Sequence, residues 1–128
     1  MNVEHIAFVV GDPNKVADWY CENLGMRIVR QGGGPNFMTF LADSSGETMF
    51  EIYARPELEL PDYASMDVFS LHFAFYADDP QGTRDSLVVA GASVVQEPSE
   101  TEAGDTLVML RDPWGVPLQL VKRKEPMG

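Results

Sequence analysis

Apolar and polar residues alternate in eight short stretches along this chain, and the eight fall into two sets of four. VEHIAFVV at residues 3–10 places Ile6, Phe8 and Val10 on one face and Val3, His5, Ala7 and Val9 on the other, the period of a β-strand. Both faces are mostly apolar, so the strand is expected to be covered on both sides. Asp12 and Pro13 then supply a helix cap and first turn, NKVADWYCEN carries the helix, and Leu24-Gly25 ends it. Three more strands follow: MRIVRQ, FMTFLA and ETMFEIY.

The second set repeats the order. SLHFAFYADDP at residues 70–80 is a diverged copy of VEHIAFVVGDP at residues 3–13, sharing His, Ala-Phe and Asp-Pro at matching places. Asp79-Pro80 opens a helix through QGTRDSLVVA, Gly91 stops it, and ASVVQE, TLVMLR and VPLQLV follow as strands. The halves diverge in the loop after their second strand, where QGGGPN reads as a mobile hairpin tip and PSETEAGD as an acidic loop. The predicted fold is therefore α+β: two tandem βαβββ modules forming an open, cup-shaped mixed β-sheet with helices on the outside. Module one covers about residues 1–55, a proline-bearing acidic linker about 56–68, and module two about 69–124, together making one domain over 1–128 because a half-length module would bury little core alone.

Aligning the halves pairs Phe50-Glu51-Ile52 with Leu118-Gln119-Leu120. The separation from His5 to Glu51 matches that from His72 to Gln119 to within one residue, and these are the only 2 histidines in the chain. Strand parity sets Phe50, Ile52, Leu118 and Leu120 under the helices and turns Glu51 and Gln119 to the opposite face, with the histidines. Two imidazoles, a carboxylate and an amide in one concavity are costly to bury without partners. One divalent metal ion per site would satisfy all four: two His nitrogens and a carboxylate suit Zn, Ni, Co, Mn or Fe, with the amide oxygen as a weak fourth ligand and positions open for substrate. The competing reading is a hydrogen-bonded polar cluster without metal.

Composition narrows the partners. A formal charge of −11, from 9 basic and 20 acidic side chains, repels phosphate backbones and anionic membranes, so neither nucleic acid nor membrane is expected. No apolar run is long enough to span a bilayer, the N-terminus has no basic segment ahead of its short apolar run, and the single Cys21 permits no internal disulfide. A cytoplasmic location is the simplest reading.

WYCENLGMRIV after the His-bearing first strand, and RDPWGVPLQLV near the end, resemble the signature segments of the vicinal oxygen chelate superfamily, which includes glyoxalase I, extradiol dioxygenases, methylmalonyl-CoA epimerase and the fosfomycin and bleomycin resistance proteins. The resemblance spans essentially the whole chain. It implies paired modules around one metal, with ligand positions matching His5, Glu51, His72 and Gln119. Relatives most often carry Glu where this chain has Gln119, and an extradiol dioxygenase would be expected to keep that Glu.

The leading expectation is thus a glyoxalase-like, metal-dependent lyase or isomerase that binds adjacent oxygens of a small-molecule substrate, with Glu51 as the base. The alternative is a metal-free, ligand-sequestering protein of the bleomycin-resistance type, which the acidity suits; an extradiol-type dioxygenase ranks below both. A homodimer is expected from the strand edges an open cup exposes. Tyr53 and Tyr76 share the inward parity and are candidates to orient a substrate, ordinary packing being the alternative. Met38, Phe40 and Met49 read as wall or core, Trp19 as a packing residue, Trp114 as a cover for the cup's mouth or a dimer contact, and Arg111 and Lys122 as solvated. Gly32-Gly33-Gly34 lacks a phosphate-loop pattern.

Overall fold

The computed structural model describes residues 1–128 and divides into two compact units, Met1–Pro61 and Asp62–Gly128. Each is a βαβββ unit built on an open four-stranded mixed sheet, as the repeat predicts.

In the first unit, β1 (His5–Val9) leads to α1 (Pro13–Leu24), then β2 (Arg27–Gln31), β3 (Thr39–Ala42) and β4 (Met49–Tyr53). The sheet order is β1-β4-β3-β2, with β1 parallel to β4 and the remaining pairs antiparallel. The expected helix signals act as read: the Asp12 side chain accepts from the Lys15 N–H, Pro13 occupies the first turn, and Gly25 closes the helix at φ 68, where a glycine pays no steric penalty. The buried α1 residues Val16, Ala17, Trp19 and Tyr20 cover one face of the sheet, and that face carries the fully buried Leu41 and Ile52. Phe50 meets Phe8 and Tyr20 edge to face, at centroid distances of 5.6 and 6.4 Å.

The second unit repeats the plan with β5 (Phe73–Tyr76), α2 (Pro80–Val89), β6 (Ser93–Glu100), β7 (Thr106–Arg111) and β8 (Pro117–Lys122), in sheet order β5-β8-β7-β6. Asp79 caps α2 by accepting from the Gly82 N–H. Leu87 of the helix and Leu118 and Leu120 of β8 form the buried side.

Four local expectations change. β1 is not covered on both sides: Ile6 is 41% exposed, because β1 is an edge strand whose helix-side cover begins only at Phe8. β6 runs on through Pro98 to Glu100, its register shifted at two irregularities, so the acidic loop shrinks to the turn where Thr101 N–H bonds the Asp105 carbonyl. The QGGGPN tip is tied down by Gly32 N–H to Met38 O, Phe37 N–H to Gly33 O and Ala54 N–H to Asn36 O. Lastly, β5 starts one residue after His72, leaving that histidine at the mouth of the strand.

Candidate functional site

Register puts the histidine and the acid of the first unit on the same side of its sheet. β1 and β4 align Ala7 with Glu51, and β5 and β8 align Ala74 with Gln119. Aligned residues on paired strands point to the same face, and residues two apart on a strand share it. His5 therefore stands diagonal to Glu51, while His72 lies one residue ahead of β5, just outside the register that sets Ala74 against Gln119. On the parallel neighbour the residue opposite the acid or amide is alanine in both units, while on the antiparallel side Phe40 stands opposite Glu51 and Met109 opposite Gln119. The buried neighbours Phe50 and Ile52, and Leu118 and Leu120, confirm that the helices lie on the other side.

The imidazoles have their tautomers set by their surroundings. His72 Nδ1 lies 2.9 Å from the Val68 carbonyl oxygen. A carbonyl can only accept, so Nδ1 carries the proton and Nε2 keeps its lone pair. His5 Nδ1 lies 2.9 Å from Glu4 Oε1, and the same argument leaves His5 Nε2 as the acceptor. A ring nitrogen held by a carboxylate or backbone carbonyl, with the other left as donor of a lone pair, is the arrangement metal-ligating histidines adopt. Phe40, aligned with Glu51 from the β3 side, packs edge-on against the His5 ring at a centroid distance of 5.3 Å, as a wall residue.

Glu51 and Gln119 are half-buried, and neither side chain has a hydrogen-bond or ionic partner within the chain. An imidazole lone pair and an uncommitted side-chain oxygen, present in each unit, are donor types that suit a divalent transition metal. No three His, Cys, Asp or Glu side chains are gathered together, however, so each unit supplies one pair of donors rather than a full ligand sphere.

The two tyrosines part company. Tyr53 lies on β4 on the face of Glu51, with the Arg55 guanidinium 5.5 Å from its ring centroid and Arg55 itself paired to Glu57. Tyr76 is 64% exposed and donates its hydroxyl hydrogen bond to Asp78 at 3.0 Å, a contact that pushes its phenol above the usual range. Trp19 is buried as expected, and Trp114 is exposed in the turn between β7 and β8.

Arg111 is not solvated. Its guanidinium donates to the carbonyls of Tyr63 at 2.8 Å, Gly115 at 3.2 Å and Met66 at 2.6 Å, fastening the short 3-10 turn Tyr63–Ser65 to the end of β7. Sequence reasoning missed this arginine because its partners are backbone oxygens, which no residue type announces. It also missed Glu4 as a partner of His5, although a charged residue beside a candidate ligand is a readable signal.

Comparison with known proteins agrees with the fold. The chain is 26% identical over 128 residues to the lactoylglutathione lyase of Haemophilus influenzae, the match covering 97% of this chain and 94% of that one. Its structure resembles that of a glyoxalase family protein from Bacillus cereus, with a TM-score of 0.81 and 16% identity over 94% of this chain and 93% of that one. It also resembles an antibiotic binding protein from a Streptomyces species, with a TM-score of 0.71 and 22% identity over 94% of this chain and 93% of that one. At these identities the two structures speak for the fold alone. Residues 2–120 match the sequence model of the Glyoxalase/Bleomycin resistance protein/Dioxygenase superfamily, and the chain belongs to that family.

Proposed function

We propose that the protein is a glyoxalase-like, metal-dependent lyase or isomerase acting on a small molecule. The observation that carries this reading is a repeated donor pair: each unit carries an imidazole with its Nδ1 proton committed and a strand residue with an unpartnered oxygen donor. The residues that would hold one divalent ion are His5, His72, Glu51 and Gln119. Such an ion, when bound, supplies Lewis acidity toward adjacent oxygens of the substrate.

The chain's own groups divide the remaining work. Glu51 is the base, displaced from the ion or adjacent to it: its carboxylate has no partner within the chain, so once free it can take a proton from a carbon next to a substrate carbonyl and return it to the neighbouring atom. Gln119 cannot share that task, since an amide does not accept a proton at neutral pH, and the chemistry therefore rests on one carboxylate. Tyr53, on the face of Glu51, is available to orient the substrate by hydrogen bond. The relatives named lactoylglutathione lyase support lactoylglutathione as the first compound to assay.

Gln119 and the net charge of −11 favour one rival, a metal-free protein that sequesters a cationic ligand. Metal uptake separates the two. Protein stripped with chelator and dialysed in turn against Mn, Fe, Co, Ni and Zn should retain about one ion per complete site, measured by elemental analysis, and His5→Ala or His72→Ala should abolish retention. Retention of none of the five would end the enzyme reading and leave the sequestering one.

A further inference from the structure

We propose that Arg111 is a positioning residue for His72, acting through the strap of backbone that runs from Tyr63 to His72. The strap holds the carbonyl that decides which imidazole nitrogen is left with a lone pair. That carbonyl belongs to Val68, a buried residue two positions beyond Met66. Met66 is where the Arg111 guanidinium makes its shortest contact, 2.6 Å to the carbonyl, while a second nitrogen of the same plane holds Tyr63 O. Between Met66 and His72 the backbone is a compact turn: the Asp67 side chain accepts from Phe69 N–H at 2.8 Å, and the Asp67 carbonyl accepts from Ser70 N–H at 2.9 Å.

The other anchor is Gly115. A Cβ there would lie 2.6 Å from the Ala64 backbone nitrogen, so the absence of a side chain is what lets the strap seat against the turn between β7 and β8. Arginine suits this task and lysine does not. A planar guanidinium has donors at fixed angles and reaches three carbonyls at once, whereas one ammonium on a flexible stem is a single point. Loss of the guanidinium leaves the strap held by its own turn, its seat at Gly115 and the burial of Tyr63 and Val68, and removes the bond at Met66 O that fixes how the Val68 carbonyl meets His72. The ring would then sample the tautomer with its proton on Nε2, which cannot donate a lone pair where the Nδ1–H form does.

This proposal rests on the reading of His72 as a ligand for its consequence, but its test needs no metal. Two-bond proton–nitrogen correlation spectra of protein with labelled histidine, recorded where both rings are neutral, report each tautomer directly. Wild-type His72 should be in the Nδ1–H form. In Arg111→Met the balance should move about fivefold toward Nε2–H, the worth of one ordinary hydrogen bond, while His5, in the other unit, stays unchanged as the internal control. Arg111→Lys should give a smaller shift in the same direction, and it carries the test if the methionine variant does not fold. Wild-type His72 found in the Nε2–H form, or a folded Arg111 variant with the wild-type tautomer, would overturn the proposal. Cobalt titration of the same samples should show affinity about tenfold weaker in Arg111→Met. If wild type takes up no cobalt or any other divalent ion while the tautomer shift occurs, the metal-dependent function fails and the positioning role stands.

Discussion

The approach of Ala64 to Gly115 makes Gly115→Ala the sharpest stability test of the second unit. Two costs combine at this position. Gly115 sits at φ 92, in the left-handed half of conformational space, where a side chain adds about 1–2 kcal/mol of strain. The added Cβ would also meet the Ala64 nitrogen at 2.6 Å and its Cα at 2.7 Å, and because these are backbone atoms no rotamer change relieves the overlap. Overpacking of this kind costs about 1–3 kcal/mol, for a total near 3 kcal/mol, a large fraction of ordinary domain stability. Gly25→Ala is the control, since Gly25 is also left-handed at φ 68 but its Cβ would meet nothing within 4 Å. It should lose only the strain term. Equilibrium urea unfolding followed by tryptophan fluorescence suits the comparison, because Trp114 lies in the same turn as Gly115 and Trp19 reports on the first unit. Losses equal within about 0.5 kcal/mol for the two variants would refute the close backbone approach, and with it the seating of the strap.

Other outcomes follow from the same structure. Gln119→Glu should tighten divalent metal binding by about 1–3 kcal/mol by adding a charged donor, and Gln119→Leu should weaken it; three identical titration curves would mean that Gln119 never reaches an ion. Tyr76 is held above its ordinary 10.0 first by its hydrogen bond to Asp78 and then by that carboxylate's charge, so the contact stabilises the fold below that pH and is lost as pH rises through the raised value. Asp78→Asn should lower the Tyr76 midpoint in a ring-proton NMR titration, and an unmoved midpoint would remove Asp78 as the cause. Each sheet ends in unpaired edge strands, β1 and β2 in one and β5 and β6 in the other, with exposed Ile6, Ile28, Val29 and Val95 on three of them, which favours a homodimer. Light scattering at micromolar concentration should show twice the 14.2 kDa chain mass, and a lone 14.2 kDa species would exclude it.

Much of this protein is written in short-range patterns. The period-2 alternation, the Asp-Pro caps, the glycine stop after α1 and the repeat itself determine both βαβββ units, because each signal acts between residues a few positions apart and needs no knowledge of the rest of the chain. Parity on the strands likewise determines that Glu51 and Gln119 turn away from the helices, and the repeat pairs each with its histidine. Tertiary structure alone decided what those histidines can do. The proton on His72 Nδ1 is set by the carbonyl of Val68, and the place of that carbonyl depends on a guanidinium 45 residues further along than Met66, whose oxygen it holds. Arg111 read as a solvated surface charge because its partners are backbone oxygens, identical in every residue and therefore silent in a sequence. The end of β6 and the start of β5 were equally unreadable, since strand limits depend on how far a neighbouring strand continues to offer hydrogen-bond partners, and that is fixed by pairing across the sheet rather than by local preference.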